Sequence, residues 1–337
     1  MGFSNFYLKI NEKYSLVPLL GVEKDNIKAL FKNKRTVYIC NYPDESWYKK
    51  HNFKQTTNYS IEKKYRFFKL LNKEAKILSL TEDSKIQKET KSYSTEEVVH
   101  FGSKFNGRIG QLFMMLKLIK WLYVNRKTYD SCLCYNFSPS EILSSFFSKL
   151  FLRKKIIVDF EDDYLLKNNS KLYKFYFSLV KRIPNYIICI NKEMVNYFPN
   201  KKTFVFNGFI NLDYAQNIDF RLQDDFTLLY AGALDDIRGV DLIPDLVRNL
   251  RLKYKNFKIN ITGSGPLERE INNWNLPEVN FFGFLNSKDY NNVLIDSTGY
   301  LILQKPDHPF SKGSFPSKIE YYSKFKKPIY QITLSYD

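Results

Sequence analysis

The sequence predicts an α/β protein made of two doubly wound, Rossmann-like domains that face each other across a cleft. Three observations carry this reading. Short β-branched and aromatic runs alternate with helical segments over residues 36–206, the spacing of a parallel sheet with crossover helices. The alternation breaks in a polar stretch without period at 211–225 and starts afresh at 226. A chain of 337 residues with 44% hydrophobic content is large enough for two separate cores. The predicted organisation is therefore a first domain at 1–210, a linker at 211–225 and a second domain at 226–337.

In the first domain, TVYIC at 36–40 reads as a strand running into the turn NYPDES. A helix follows at 61–72 with Phe67, Leu70 and Leu71 on one side, then a strand at 75–80. The polar segment 82–97 reads as a loop, and 98–101 is too short to assign. GSKFNGRIG at 102–110 is a basic, glycine-containing loop opening an apolar helix at 111–125. The apolar residues of that helix surround it, which favours burial in the core over a place on a membrane surface. Its most apolar part, 112–124, carries Lys117 and Lys120 and is too short to span a bilayer. After a strand at 131–135, Ser138-Pro139-Ser140-Glu141 has the N-cap, first-turn proline and acid of a capping box. Strands at 156–160, 186–190 and 203–206 and a helix at 171–181 complete the domain.

The second domain repeats the pattern, with strands at 226–231, 257–262, 279–284, 299–303 and 328–332. Helices are expected at 241–254, 267–273 and 287–295. Open α/β sheets bind ligands at the carboxyl ends of their strands, so a ligand between the domains is the expectation.

Net charge is +17, which suits nucleic acid, anionic lipid head groups or anionic small substrates. No aromatic-basic recognition motif accompanies it, so nucleic acid is not an expected partner. Cys40, Cys132, Cys134 and Cys189 each sit in a strand-like apolar context. No C-x-x-C pair and no histidine cluster suggests a metal, so buried free thiols and no metal site are expected. The N-terminus lacks a basic region followed by an apolar core, and cytoplasmic residence follows as an expectation. The acidic turn Glu161-Asp162-Asp163 after Asp159 has two readings, a D-x-D metal motif or an acidic strand end.

The segment FSKGSFPSKIEYYSKFKKP at 310–328 organises the chemistry. Pro316 suits a first helical turn. Free N–H groups of Ser317 and Lys318 would then face an anion favoured by the helix dipole, and Lys318 adds a point charge of the kind that binds phosphate. A solvated surface helix with a chance lysine is the plain alternative.

Four segments in order resemble the nucleotide-binding domain of family 4 glycosyltransferases of the GT-B architecture, in their bacterial polysaccharide branch. They are LLYAGALDDIRGVDLI, INITGSGPLEREI, VNFFGFLNSKDY and FSKGSFPSKIEYYSKFKKPI. The first half is similar to the acceptor domain more loosely, through IIVDFEDDY and VFNGF. The resemblance implies donor-diphosphate contacts at Arg238, Lys318 and Ser317, and a nucleotide-base pocket beside Gly283 and Phe284. It also implies close donor turns at Gly232, Gly263 and Gly265. The family's paired glutamates fall on Gly313 and Tyr321. Glu320, one position earlier and about 100° round the helix, would take the ribose role if the helix start shifts by a residue. On the acceptor side, Lys104 and Arg108 would touch phosphates, with His100 beside them. The C-terminal part is short beside the family, whose members continue with further helices.

What the resemblance implies is transfer of a sugar from a nucleotide diphosphate to a glycan carried on a polyprenyl diphosphate, in surface polysaccharide (capsule or O-antigen) synthesis. Retention of anomeric configuration is implied, with the leaving diphosphate helping to take the acceptor proton. No cofactor and no metal is required beyond the nucleotide-sugar co-substrate. Peripheral contact with an anionic membrane is compatible with the charge. The competing expectation is a non-catalytic subunit of a polysaccharide assembly complex, motivated by Tyr321 and the early end of the second domain.

Overall fold

The computed structural model describes residues 7–18, 27–32, 34–44, 47, 59–71, 75–80, 92–105, 107–136, 138–161, 171–206, 219, 221–312, 316 and 318–334. The chain folds as two compact units. In chain order the strands are β1 Leu8–Lys9, β2 Tyr14–Pro18, β3 Thr36–Cys40, β4 Lys76–Leu80, β5 Tyr93–Ser94 and β6 Val98–Phe101. Then come β7 Ser131–Tyr135, β8 Lys155–Phe160, β9 Tyr186–Cys189 and β10 Lys202–Val205. The last five are β11 Phe226–Ala233, β12 Phe257–Ser264, β13 Val279–Phe281, β14 Gly299–Ile302 and β15 Ile329–Leu334.

The first unit holds an eight-stranded sheet in the order β10-β9-β8-β7-β3-β4-β6-β5. It is parallel except for β5 against β6. Its central strands are near-continuous apolar runs, as strands covered on both faces require. Cys40, Cys132, Cys134 and Cys189 are buried free thiols on three of them. Burial pushes the thiols of Cys132 and Cys189 up to about 12, so they are inert at neutral pH. The capping box forms as its sequence dictates. The Ser138 hydroxyl accepts from the Glu141 N–H, and the Glu141 carboxylate accepts from the Ser138 N–H, at the start of the helix Pro139–Phe151.

The helix Gly107–Val124 departs from expectation twice. It starts within the predicted loop, which puts Arg108 in its first turn. It buries only one stripe, Gly110, Met114, Leu118 and Leu122, while Ile109, Leu112, Phe113, Leu116 and Tyr123 are exposed. A helix lying on the outside of a sheet can cover itself on one side only, so an apolar composition all round does not guarantee full burial.

The second unit holds a seven-stranded sheet in the order β1-β2-β15-β14-β11-β12-β13. Its C-terminal strands are parallel, and β2 pairs antiparallel with β15, placing Leu16 opposite Ile332 and Tyr14 opposite Leu334. The N-terminal hairpin therefore belongs to the second sheet, not to the first domain as the sequence boundary at 210 has it. Leu8, Ile10 and Leu16 join the core built by Leu228, Ile259, Leu301 and Tyr330. The reason is an open edge: β15 would otherwise present unpaired N–H and C=O groups.

Leu16→Ala should destabilise this unit by about 2–5 kcal/mol. Native-state hydrogen exchange should show weakened protection in β15 and β11 and unchanged protection in β7 and β8. Undiminished protection of β15 would contradict the pairing.

Candidate functional site

In the second sheet, strand order reverses at β11. The chain runs from β11 outward to β12 and β13, and then returns to the other side for β14 and β15. The carboxyl ends of β11 and β14 thus frame the switch point, where open α/β sheets bind ligands. Three glycines let the loops there come close. Gly263, at φ +142°, lies opposite Gly232, and a Cβ on it would stand 1.8 Å from the Gly232 carbonyl oxygen. A Cβ on Gly265 would come within 2.4 Å of the Leu234 carbonyl oxygen. Gly239, at φ +68°, brings the turn after β11 against the end of β14, where a Cβ would meet the Leu303 carbonyl oxygen at 2.0 Å. The Gly263 N–H and the Thr262 hydroxyl both donate to the Gly283 carbonyl, at 2.9 and 2.7 Å, which ties the turn after β13 to β12.

Arg238 is positioned by Asp235, which accepts from the Arg238 backbone N–H at 2.9 Å and from its guanidinium at 2.7 Å. Lys318 begins the short helix Lys318–Tyr322, and its ammonium donates to the Ala231 carbonyl at the end of β11. Burial, and secondarily the charge of Arg238, depress the Lys318 amine to about 8. The two cations, which come from separate loops, are therefore brought to one end of β11. Asp235 offsets part of the Arg238 charge, whereas the Lys318 ammonium has a neutral carbonyl beside it, and an anion at this place would be attracted by both cations.

Other sequence-predicted residues fall in varied places. Gly232, Gly263 and Gly265 line this edge as described. Gly283 has φ +62° with open space where a Cβ would be, and Phe284 beside it is 70% exposed. Ser317 and Gly313 lie outside the described residues. Glu320 is 1% exposed, with its side chain turned into the unit, so it does not present an open carboxylate to a ribose. Tyr321 donates to the Asn291 side-chain carbonyl at 2.9 Å and stacks on Tyr290 at 6.2 Å between ring centroids. It packs this helix on the helix Ser287–Asp296. Its neighbour Glu320 faces inward because adjacent positions lie about 100° apart round a helix.

Asp235 and Lys305 were not anticipated. Lys305 follows β14, pairs with Asp241 at 2.7 Å, and donates its backbone N–H to the Ile237 carbonyl at 3.3 Å. A lysine just past the carboxyl end of a parallel strand is the signal that could have drawn attention to it.

The first sheet has its own switch point between β3 and β7. There the buried Lys63 pairs with Glu161 at 2.5 Å, and Glu161 accepts from the Tyr135 hydroxyl at 3.0 Å. Lys64 donates to the Asn41 carbonyl at 2.9 Å and lies over the Tyr135 ring at 4.0 Å. Asp159 accepts from Tyr38 at 3.4 Å, and burial, then the charge of Glu161, push its carboxyl well above the usual range. Asp159 and Glu161 are thus built into a buried polar cluster, while Asp162 and Asp163 lie outside the described residues. His100 is buried on β6, stacked 4.4 Å from Tyr93 with its Nε2 3.4 Å from Asp44. Lys104 and Arg108 are exposed instead, Lys104 ahead of the helix Gly107–Val124 and Arg108 in its first turn.

No protein-family profile and no curated protein matches the sequence. Solved structures do match. HepE of Anabaena in complex with UDP and glucose is 14% identical, covers 88% of this chain and 80% of its own, and superposes with a TM-score of 0.53. The catalytic domain of starch synthase IV from Arabidopsis thaliana, bound to ADP and acarbose, is 10% identical over 80% of this chain and 78% of its own, with a TM-score of 0.54. The apo form of the lipopolysaccharide outer core galactosyltransferase WaaB is 11% identical over 88% and 79%, with a TM-score of 0.50. The chain has the fold of these GT-B proteins, two Rossmann-like α/β units.

The depressed Lys318 amine gives the site a pH signature. A lysine in the unfolded chain keeps its proton to its ordinary value of 10.5, whereas Lys318 loses it from about 8. Between those values the unfolded state binds more protons, so folding stability rises with pH, while attraction for an anion falls. The folding stability of the wild type should rise between about pH 8 and 10.5, and Lys318→Met should lose that rise. Wild-type and Lys318→Met stabilities that run parallel over this range would contradict the placement.

Proposed function

We propose that the chain is a glycosyltransferase that moves a sugar from a nucleotide diphosphate donor to a growing glycan. The single observation that carries this reading is the convergence of Arg238 and Lys318 at the switch point of the second sheet. HepE was solved with UDP and glucose and starch synthase IV with ADP, which supports a nucleoside diphosphate as the anion. In the reaction the bond between the sugar carbon and the diphosphate oxygen breaks, a bond from that carbon to an acceptor hydroxyl oxygen forms, and negative charge develops on the leaving oxygen. Arg238 and Lys318 stabilise that charge. Asp235 keeps the Arg238 guanidinium in place. Retention is the stereochemical outcome we propose, with the departing diphosphate receiving the acceptor proton.

The acceptor in this proposal is a lipid-linked glycan of surface polysaccharide synthesis, met at the cytoplasmic face of a membrane. No cofactor or metal is invoked. A second reading, a non-catalytic glycosyltransferase-like subunit, is favoured by the inward Glu320 and by Tyr321, which is spent on packing.

A thermal-shift screen over UDP, GDP and ADP and their sugars separates the two. A ligand at 100 times its dissociation constant adds about 2.7 kcal/mol, and one diphosphate series should give that shift in the wild type. Arg238→Ala and Lys318→Ala should each remove most of it. A subunit with a decayed site would respond to no nucleotide and would be indifferent to Lys318→Ala.

A further inference from the structure

The outer surface of the first unit combines two features that a protein in water has no reason to combine. The helix Gly107–Val124 exposes Phe105 just before it and Ile109, Leu112, Phe113, Leu116 and Tyr123 along it, with Ile109 60%, Leu112 49% and Leu116 51% exposed. From Ile109 to Leu116 these positions recur every three or four residues on the side away from Met114, Leu118 and Leu122, and Lys120 takes the next place before Tyr123, so they form one stripe with a single cation in it. The helix Pro139–Phe151 packs beside it and exposes Phe146, Leu150 and Phe151, and the helix Lys171–Arg182, next in line, exposes Phe175. A surface of this extent is larger than scattered apolar residues account for.

Charge on this layer is one-sided. Segments 104–128, 138–157 and 171–182 hold fourteen Lys and Arg against one acid, Glu141, which is buried in its capping box. Basic residues in the last turns suit the helix dipole. That account does not reach Lys104, Arg108, Lys171 and Lys174, which stand at helix starts where the dipole disfavours them, or Lys120 in mid-helix. At about 100° per residue, Arg108 borders the exposed stripe on one side and Lys117 on the other, while Lys120 stands within it. An apolar stripe bordered by cations is the pattern of a helix lying in the plane of a bilayer surface, its apolar face among the acyl chains and its cations at the head groups. No helix among the described residues is long and apolar enough to cross a membrane, so the pattern is one of contact with a bilayer surface and not of a span.

We propose that this face is a docking surface for a bilayer rich in anionic phospholipid, held by the exposed stripe of Gly107–Val124 and by the cations around it. The proposal deepens the membrane part of the function proposed above and rests on different residues. It also reassigns Lys104 and Arg108 from acceptor phosphates to lipid phosphates.

Co-sedimentation of the full chain with vesicles, in the absence of any nucleotide, tests it. Binding to vesicles of phosphatidylglycerol and phosphatidylcholine should be strong at low salt and weaken steeply as salt rises, and vesicles of phosphatidylcholine alone should retain little protein. Lys120→Glu should weaken binding severalfold, and the double variant Leu112→Gln with Leu116→Gln by tenfold or more. Both changes lie on exposed positions, and circular dichroism and an unchanged nucleotide-induced thermal shift would show the fold intact. Equal binding to neutral and anionic vesicles, or none to either, would overturn the proposal. So would self-association without lipid that the double variant abolishes, which would assign the stripe to a second copy, or duplex DNA displacing the protein from vesicles with the double variant binding DNA unchanged. A chain that binds vesicles and no nucleotide keeps this proposal and loses the enzymatic one; the reverse result separates them the other way.

Discussion

The contact on which the proposed site of the second unit depends is the one between the Lys318 ammonium and the Ala231 carbonyl. It joins the last crossing segment of the sheet to its central strand, at the place where strand order reverses. A buried ammonium needs an oxygen partner, and a backbone carbonyl at a strand's end supplies one without introducing a counter-charge. The amine therefore remains available to an outside anion and is at the same time easier to deprotonate than a surface lysine. Arg238, paired with Asp235 three residues before it in the turn after β11, adds its own positive charge beside the amine.

Around that contact the fold supplies close approach. Parallel strands β11 and β12 pair Gly232 with Gly263 near their ends; a side chain on Gly263 would displace the Gly232 backbone, and one on Gly232 would meet the Tyr230 hydroxyl at 2.9 Å. At the other border of the sheet the N-terminal hairpin covers β15. The two ends of the chain thus complete one sheet, and the core under the candidate site includes residues from both.

Much of this was legible in the sequence, for identifiable reasons. Parallel strands buried on both faces are short apolar runs, so TVYIC, KIIVDF and YIIC announce β3, β8 and β9. Ser138 and Glu141 mark a helix start by chemistry that operates within four residues. The turn glycines are fixed by local geometry. What stayed hidden depends on distant partners. Tyr14–Pro18 pairs with a strand more than three hundred residues away, as in Tyr330 opposite Pro18, and no local pattern encodes that. Lys63 and Lys64 look like a solvated helix face, yet they are drawn inward by Glu161, Tyr135 and the Asn41 carbonyl. A helix apolar on all sides gives no periodicity from which to read its exposed stripe. The inward turn of Glu320 follows from the register of a five-residue helix, which sequence alone leaves open by one position.

The claim that Arg238 and Lys318 act on one anion is tested most directly by a double-mutant cycle. UDP affinity would be measured by calorimetry at pH 7.5 for the wild type, Arg238→Ala, Lys318→Ala and the double variant. Residues that share a ligand group couple by about 0.5–3 kcal/mol, so the double variant should lose clearly less than the two single losses combined. Strictly additive losses, or a Lys318→Ala variant that binds UDP as the wild type does, would contradict the account.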